Sequence, residues 1–239
     1  GGRIPTATEV CLVVLRGLFS LLPFWWGWGL NMQRFLDPVS GWGLWGLAAV
    51  ALIPSVANRL SLERAGRFLA ESKRAYHVAG IGGASLVWLL PDRVWFVGDF
   101  LMRQGTVESN FLASNYWGSL PLDVFLHLVL LHPFGFGSPE AANTALRALG
   151  AIEAGGLGML SIYFARTLRA TGAAAVAASA LVFFGGHLTM FTGLGKPASE
   201  LCLVVLALAT FGIRAARDQG ALLPVGLAAA VGFGLHRSR

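Results

Sequence analysis

Long apolar segments, each close to the length of a membrane-spanning helix, follow one another along most of this chain. They are rich in Leu, Ala, Gly and Val and lack the apolar/polar alternation of membrane barrel strands. Because backbone polar groups in lipid must be satisfied internally, such segments are expected to be helices. They occur at residues 7–30, 41–57, 76–98, 149–165, 172–191, 198–213 and 221–235.

The composition indicates the same class. Of the 239 residues, 55% are hydrophobic and only 13% are charged, and the mean hydropathy is +0.65. This balance predicts an integral membrane protein. The net charge of +6 does not point to nucleic acid, because Lys and Arg form short clusters between the apolar segments, where membrane topology places them. Cys11 and Cys202 each lie in an apolar run, which predicts packing residues rather than metal ligands.

The distribution of basic residues predicts the orientation. The loop at 58–76 has the densest basic cluster, so the positive-inside rule places it in the cytoplasm and Asp99, after the next span, on the extracytoplasmic side. A further apolar stretch at 119–136 is ambiguous. We favour a juxtamembrane or re-entrant helix there, because a crossing would put four arginines outside. Those arginines are Arg166, Arg169, Arg214 and Arg217.

The predicted fold is therefore all-α, a polytopic transmembrane helical bundle with a large extracytoplasmic loop carrying juxtamembrane helices. Residues 1–75 are predicted to form an N-terminal transmembrane pair and a basic cytoplasmic loop, and residues 76–239 a second transmembrane module. The chain begins GGRIP and ends shortly after an apolar segment, so we expect a fragment that is truncated at its C-terminus.

Asp99 and Arg103 form the first candidate site. They are four residues apart, so they either form an interfacial ion pair or act as a general base with a partner for an anionic head group or phosphate. Asp123 and His127 have the same spacing, which favours a carboxylate that orients an imidazole. His132 does not return to their helical face, so no metal site is predicted. The alternative is an interfacial helix whose polar side chains face water.

The stretch GGHLTMFTGLGKPASE contains His187, Lys196 and Glu200 around a Gly/Pro break. It is either a turn at the lipid surface or a segment in which Lys196 holds a phosphate. Glu153 is expected to face the bundle, because a carboxylate in lipid is costly. Phosphate-loop, nucleophile-elbow and zinc-protease motifs are missing from the sequence, and a divalent metal has no convincing motif.

The stretches RVWFVGDF, SLPLDVFLH and LVFFGGHLTMFTG, with AANTALRALGAIEAGGLGML among them, resemble the glycosyltransferase-C superfamily of membrane glycosyltransferases over residues 76–236. The resemblance implies a lipid-linked sugar donor, usually a polyprenyl phosphate, used at the extracytoplasmic face of a bacterial plasma membrane. It also implies that Asp99 is the general base. Many members have a second acid two residues later, where this chain has Leu101, and this leaves the metal and the catalytic assignment open.

The predicted function is thus sugar transfer from a lipid donor. A transporter or flippase-like protein with a substrate path near 185–197 is the alternative, and a non-catalytic membrane subunit is a third possibility. Asp99 is the predicted catalytic residue. The predicted substrate-binding residues are Arg103, Asp123, His127, His187, Lys196 and Glu200.

Overall fold

The computed structural model describes residues 7–21, 38–51, 53, 56, 62–89, 121–184, 186–192, 198–218, 220 and 222–235. Every regular element within these ranges is helical, which confirms the predicted all-α class. The α-helices are α1 Ala7–Leu21, α2 Pro38–Ala51, α3 Leu62–Glu71, α4 Arg74–Leu89, α5 Pro121–Val124, α6 His132–Gly135, α7 Pro139–Thr167, α8 Gly172–Phe183, α9 Ala198–Asp218 and α10 Leu222–Leu235.

Two of the described helices, α7 and α9, are long and apolar enough to cross a membrane. The predicted segment 172–191 divides into α8 and a 3₁₀ helix, Gly186–Phe191. The other apolar helices in the described ranges are shorter than a full crossing. The predicted number of spans therefore stays a prediction.

Helix α7 is the centre of the fold and packs against α4, α8 and α9. Its approach to α4 is close because glycines line both surfaces. A Cβ atom at Gly83 of α4 would lie 2.6 Å from the Ala154 carbonyl oxygen of α7, and one at Gly155 would lie 3.1 Å from the Gly80 carbonyl oxygen. Small residues at such positions let two helix backbones approach, so the α4–α7 contact depends on glycine.

The basic loop predicted at 58–76 contains a helix, α3, which packs on the start of α8. Gly66 of α3 is buried against the Gly172 backbone. Arg166 of α7 fixes the end of α3, because its guanidinium donates to the Leu69 and Ser72 carbonyl oxygens at 2.9 and 2.6 Å. Helix α3 thus contacts residues beyond the predicted boundary at residue 75. The boundary itself stays a prediction.

Five helix ends meet at one side of the bundle. The start of α4 and the end of α7 meet through Arg166, the start of α8 lies on α3, and Arg217 near the end of α9 donates to the Thr167 carbonyl oxygen. Helix α10 starts there too, shortly after α9. Helices α4, α8 and α10 therefore run antiparallel to α7 and α9. We call this side the basic end, after Arg64, Arg67, Lys73, Arg74, Arg166, Arg169, Arg214 and Arg217.

The described part of the ambiguous stretch, residues 121–136, forms three short pieces: α5, a π-helical turn Phe125–Val129, and α6. It lies on the side of the bundle away from the basic end, against the first half of α7. Val124, Leu128 and Leu131 pack there on Ala142 and Leu146. Helices α4 and α7 run in opposite directions, and whether the stretch between them crosses a membrane stays a prediction.

Candidate functional site

The helical break near Pro133 shapes the first wall of the site. Proline has no N–H and its ring crowds the carbonyl one turn earlier, so a regular helix cannot continue through it. The turn before it widens instead, and the Leu130 N–H donates to the Phe125 carbonyl oxygen at 2.8 Å in an i→i+5 bond. In the wider turn, residues four apart stay on one face, and Asp123, His127 and Leu131 are all buried. Single π-helical turns of this kind are frequent at functional sites.

His127 lies between two carboxyl groups. Its Nδ1 atom is 2.9 Å from Oδ1 of Asp123, in the same segment, and its Nε2 atom is 3.2 Å from Oε1 of Glu200, in α9. The three residues are nearly inaccessible, with exposed fractions of 1% for Asp123, 3% for His127 and 6% for Glu200. A buried imidazole with a carboxyl group at each ring nitrogen is the main polar feature among the described residues.

The two contacts of His127 differ in kind. The Asp123 side is reinforced by the backbone, because Nδ1 also lies 3.3 Å from the Asp123 carbonyl oxygen. On the other side, Nε2 of His127 and Oε1 of Glu200 are close enough for an ion pair but are not aligned for a hydrogen bond. Oε1 of Glu200 therefore has no hydrogen-bond partner among the described residues. Asp123 therefore fixes the ring, while Glu200 keeps an acceptor atom with hydrogen-bonding capacity to spare.

Glu200 is placed by the start of α9. It lies in the first turn of that helix, where the helix dipole favours a carboxylate, and its Oε2 atom accepts from the Ser199 hydroxyl at 3.0 Å. Glu153, from the middle of α7, contacts both the Ser199 hydroxyl and the Glu200 carboxyl group. We call Asp123, Glu153, His127, Ser199 and Glu200 together the acid–histidine cluster.

The chemistry of the acid–histidine cluster is that of proton exchange and polar recognition. Buried polar groups are held only where partners satisfy them. Two carboxyl groups at the imidazole of His127, with Ser199 and Glu153 behind Glu200, provide both donors and acceptors. Among the described residues no group of three or more His, Cys, Asp or Glu side chains has the arrangement of a metal site. With hydrogen-bond donors and acceptors side by side, the cluster is suited to holding protons or hydroxyl groups.

An apolar groove of about 710 Å³ runs along α7, α9 and α10 and comes within one helical turn of the cluster. Gly156 and Leu203 line it one helical turn after Glu153 and Glu200, and Tyr163 and Phe211 line it near the basic end. The groove therefore spans most of the length between the basic end and the cluster. Its walls are almost wholly apolar.

The structure brings together three of the predicted site residues, Asp123, His127 and Glu200. The alternative in which the polar side chains of 119–136 face water is wrong for Asp123 and His127, because both are buried against Glu200. The roles of these residues stay predictions.

The remaining predicted residues fall outside the part of the chain that the structure describes. Asp99, Arg103 and Lys196 lie outside the described residues, and so does the side chain of His187, whose backbone belongs to the 3₁₀ helix Gly186–Phe191.

Two members of the cluster were not predicted as site residues. Glu153 was expected to face the bundle, and its isolation in an apolar stretch was the signal that it needs a polar partner. Ser199 was missed, although a Ser-Glu pair directly after a Gly/Pro break is typical of a helix start.

A scan against protein-family models, a search of curated proteins and a search of solved structures each found no match.

Proposed function

We propose that this chain is a polytopic membrane glycosyltransferase that moves a sugar from a polyprenyl-phosphate-type donor to an acceptor on the extracytoplasmic side. The observation that carries the proposal is the buried acid–histidine cluster at one end of an apolar groove. A lipid-linked sugar has the same division, since its chain is apolar and its sugar is rich in hydroxyl groups. The groove therefore suits the apolar chain, and the cluster suits the sugar.

The charge distribution supports the orientation. Most Lys and Arg residues of the described ranges lie at the basic end, which the positive-inside rule places in the cytoplasm. Glu153 lies about 20 Å from Arg166 along α7, at about 1.5 Å per residue. In a hydrocarbon layer about 30 Å thick, the cluster is then about 10 Å below the opposite surface. Ionisable groups at such a depth are costly and mark functional sites.

In this proposal the cluster binds the sugar and Asp99 performs the acid–base step. Oε1 of Glu200 accepts a hydrogen bond from a sugar hydroxyl group, and His127 is held in position by Asp123. Asp99 removes the proton of the acceptor hydroxyl group, whose oxygen forms a bond to the anomeric carbon. The bond from that carbon to the phosphate oxygen breaks, and polyprenyl phosphate leaves with its charge neutralised by Arg103 or Lys196.

The test is a transfer assay with the full chain in proteoliposomes. The donors are radiolabelled polyprenyl-phosphate hexoses and pentoses, and the readout is release of polyprenyl phosphate together with labelled product. Asp99→Asn is expected to lower turnover about 10²- to 10⁴-fold, the usual contribution of a general base. Glu200→Gln is expected to raise KM about tenfold or more, because a hydrogen bond to a charged group contributes about 1.5–3 kcal/mol.

His77→Ala is the matched control, since His77 is an exposed histidine near the basic end. It should leave transfer unchanged, whereas His127→Ala should impair it. Transfer that survives Asp99→Asn would rule out Asp99 as the base, and failure with every donor would count against the function itself.

Proton-coupled transport is the second candidate, and the position of the acid–histidine cluster favours it. Titratable groups buried at membrane depth are typical of proton relays in transporters. This candidate predicts acidification of vesicles that hold a pH-sensitive dye when a substrate gradient is applied. Loss of that signal in Glu153→Gln, with no sugar transfer in the wild type, would favour transport over transfer.

A further inference from the structure

A second groove lies on the other side of α7, between α4 and α8. It has a volume of about 440 Å³, within the range of about 300–1,000 Å³ that is typical of ligand sites. Gly82 and Leu86 of α4 form one wall, Ala180 and Phe183 of α8 form the other, and Leu69 of α3 lies at the end nearest the basic end. The acid–histidine cluster does not contribute to its lining.

The groove contains a polar group that the protein leaves unsatisfied. Ser179 lines it and is 6% exposed, and its hydroxyl oxygen has no hydrogen-bond partner. Ser161, on the floor, differs because its hydroxyl group donates to the Gly158 carbonyl oxygen at 2.7 Å. Leaving a buried hydroxyl group unpaired is costly, so Ser179 indicates a ligand with a hydrogen-bond acceptor in the groove.

Exposed charges lie beyond the end of the groove near α3, where four cations outnumber two acids: Arg64, Arg67, Lys73 and Arg74 against Glu63 and Glu71. Lys73 and Arg74 are exposed at the start of α4. Arg74, Val78 and Gly82 are four residues apart, so they lie in a row on one face of the helix. Gly82 is exposed and a Cβ atom there would meet nothing within 4 Å. A lipid whose acyl chain enters the groove at Gly82 therefore has its polar head group near Arg74.

We propose that this groove binds an anionic phospholipid, with one acyl chain between α4 and α8, its ester carbonyl oxygen accepting from Ser179, and its phosphate on Lys73 and Arg74. The inference uses the membrane location from the proposed function but not the glycosyl transfer. Each exposed Lys or Arg near an anionic head group strengthens binding about fivefold. The site is therefore expected to select charge in the head group and not only an apolar chain.

The test is photo-crosslinking of the purified full chain with phosphatidylglycerol that carries a diazirine on one acyl chain. Cross-linked residues are mapped by mass spectrometry, and the same diazirine on phosphatidylcholine is the charge control. Adducts on α4 and α8 within the groove are expected with phosphatidylglycerol and at least about fivefold fewer with phosphatidylcholine.

Gly82→Leu should fill the groove and remove these adducts. Gly212→Leu is the matched control, because Gly212 is also helical and a Cβ atom there meets nothing within 4 Å. The double variant Lys73→Gln/Arg74→Gln should abolish the preference for phosphatidylglycerol without filling the groove, so it carries the test even where Gly82→Leu fails to fold.

Equal labelling by both lipids would overturn the proposal in favour of ordinary surrounding lipid. Groove adducts that persist in a folded Gly82→Leu variant would overturn it as well. Cross-linking does not need turnover, so its failure is distinguishable from failure of the transfer assay.

Discussion

The close approach of α4 and α7 gives a sharp prediction at two neighbouring glycines. Gly82 and Gly83 lie side by side in the middle of α4, so replacing either with alanine has the same effect on helix propensity, a gain of about 1 kcal/mol. Their surroundings differ. A Cβ atom at Gly82 meets nothing within 4 Å, whereas one at Gly83 would lie 2.6 Å from the Ala154 carbonyl oxygen and 3.0 Å from a Phe183 ring carbon.

The expected result differs between the two variants: the first gains stability and the second gains none. Gly82→Ala should be stabilising by about 1 kcal/mol through propensity alone. Gly83→Ala has the same gain, but it pushes α4 away from a backbone atom that cannot rotate aside, and overpacking of this kind costs about 1–3 kcal/mol. The two variants should therefore differ by about 1–3 kcal/mol, which is about 2–12 °C in Tm for a chain of this size.

Thermal unfolding in one detergent, followed by tryptophan fluorescence, measures the difference between Gly82→Ala and Gly83→Ala. Helix α7 offers the same comparison, since a Cβ atom at Gly156 reaches only Leu203 at 4.0 Å while one at Gly158 would overlap the Ala79 carbonyl oxygen. Equal Tm values for Gly82→Ala and Gly83→Ala would refute the packing of α4 on α7.

Three further changes test other contacts. Arg166→Gln should destabilise the chain by about 1–3 kcal/mol in thermal unfolding, because it removes two hydrogen bonds to the end of α3 and the guanidinium 4.4 Å over the Tyr76 ring. Arg166→Lys should recover only part of the lost stability. His127→Ala should cost about 3–5 kcal/mol in the same assay, since buried carboxyl groups lose their partner, and an unchanged Tm would contradict the geometry of the cluster. Ser179→Ala should raise stability by about 1 kcal/mol in lipid-free detergent and lose that advantage when phosphatidylglycerol is added.

The sequence predicted one pair within the acid–histidine cluster, Asp123 and His127, which are close along the chain. Asp123 and His127 are four residues apart in a short segment between two prolines, and this spacing alone places them on one helical face. Their burial was not predictable, because hydropathy does not say which face of a short helix meets the bundle. Glu200 completes the site from α9, far along the chain, and only tertiary packing brings its carboxyl group to Nε2 of His127.

The basic segment was only partly predictable for a similar reason. Its charges predict a loop on one side of the membrane, whereas the structure has the helix α3 within it. The stretch LERAGRFLAE has apolar residues on one face, with Gly66 at the point of contact, and Glu63 in its first turn. These are signals of an amphipathic helix. The partner of that face, Gly172 at the start of α8, is not readable from local pattern.

The two proposals concern different grooves, so either proposal can fail without the other. Both are apolar and both run along α7, yet the α9–α10 groove ends one helical turn from the acid–histidine cluster, whereas Lys73 and Arg74 lie beyond the α3 end of the α4–α8 groove. In the two proposals, a lipid-linked sugar whose hydroxyl groups meet the cluster fits the first groove, and a phospholipid with a fixed negative charge fits the second. The glycines that close α4 onto α7 lie between them. Widening that contact in Gly83→Ala should therefore disturb both grooves, while Gly82→Leu should fill only the second and leave the chemistry of the cluster intact.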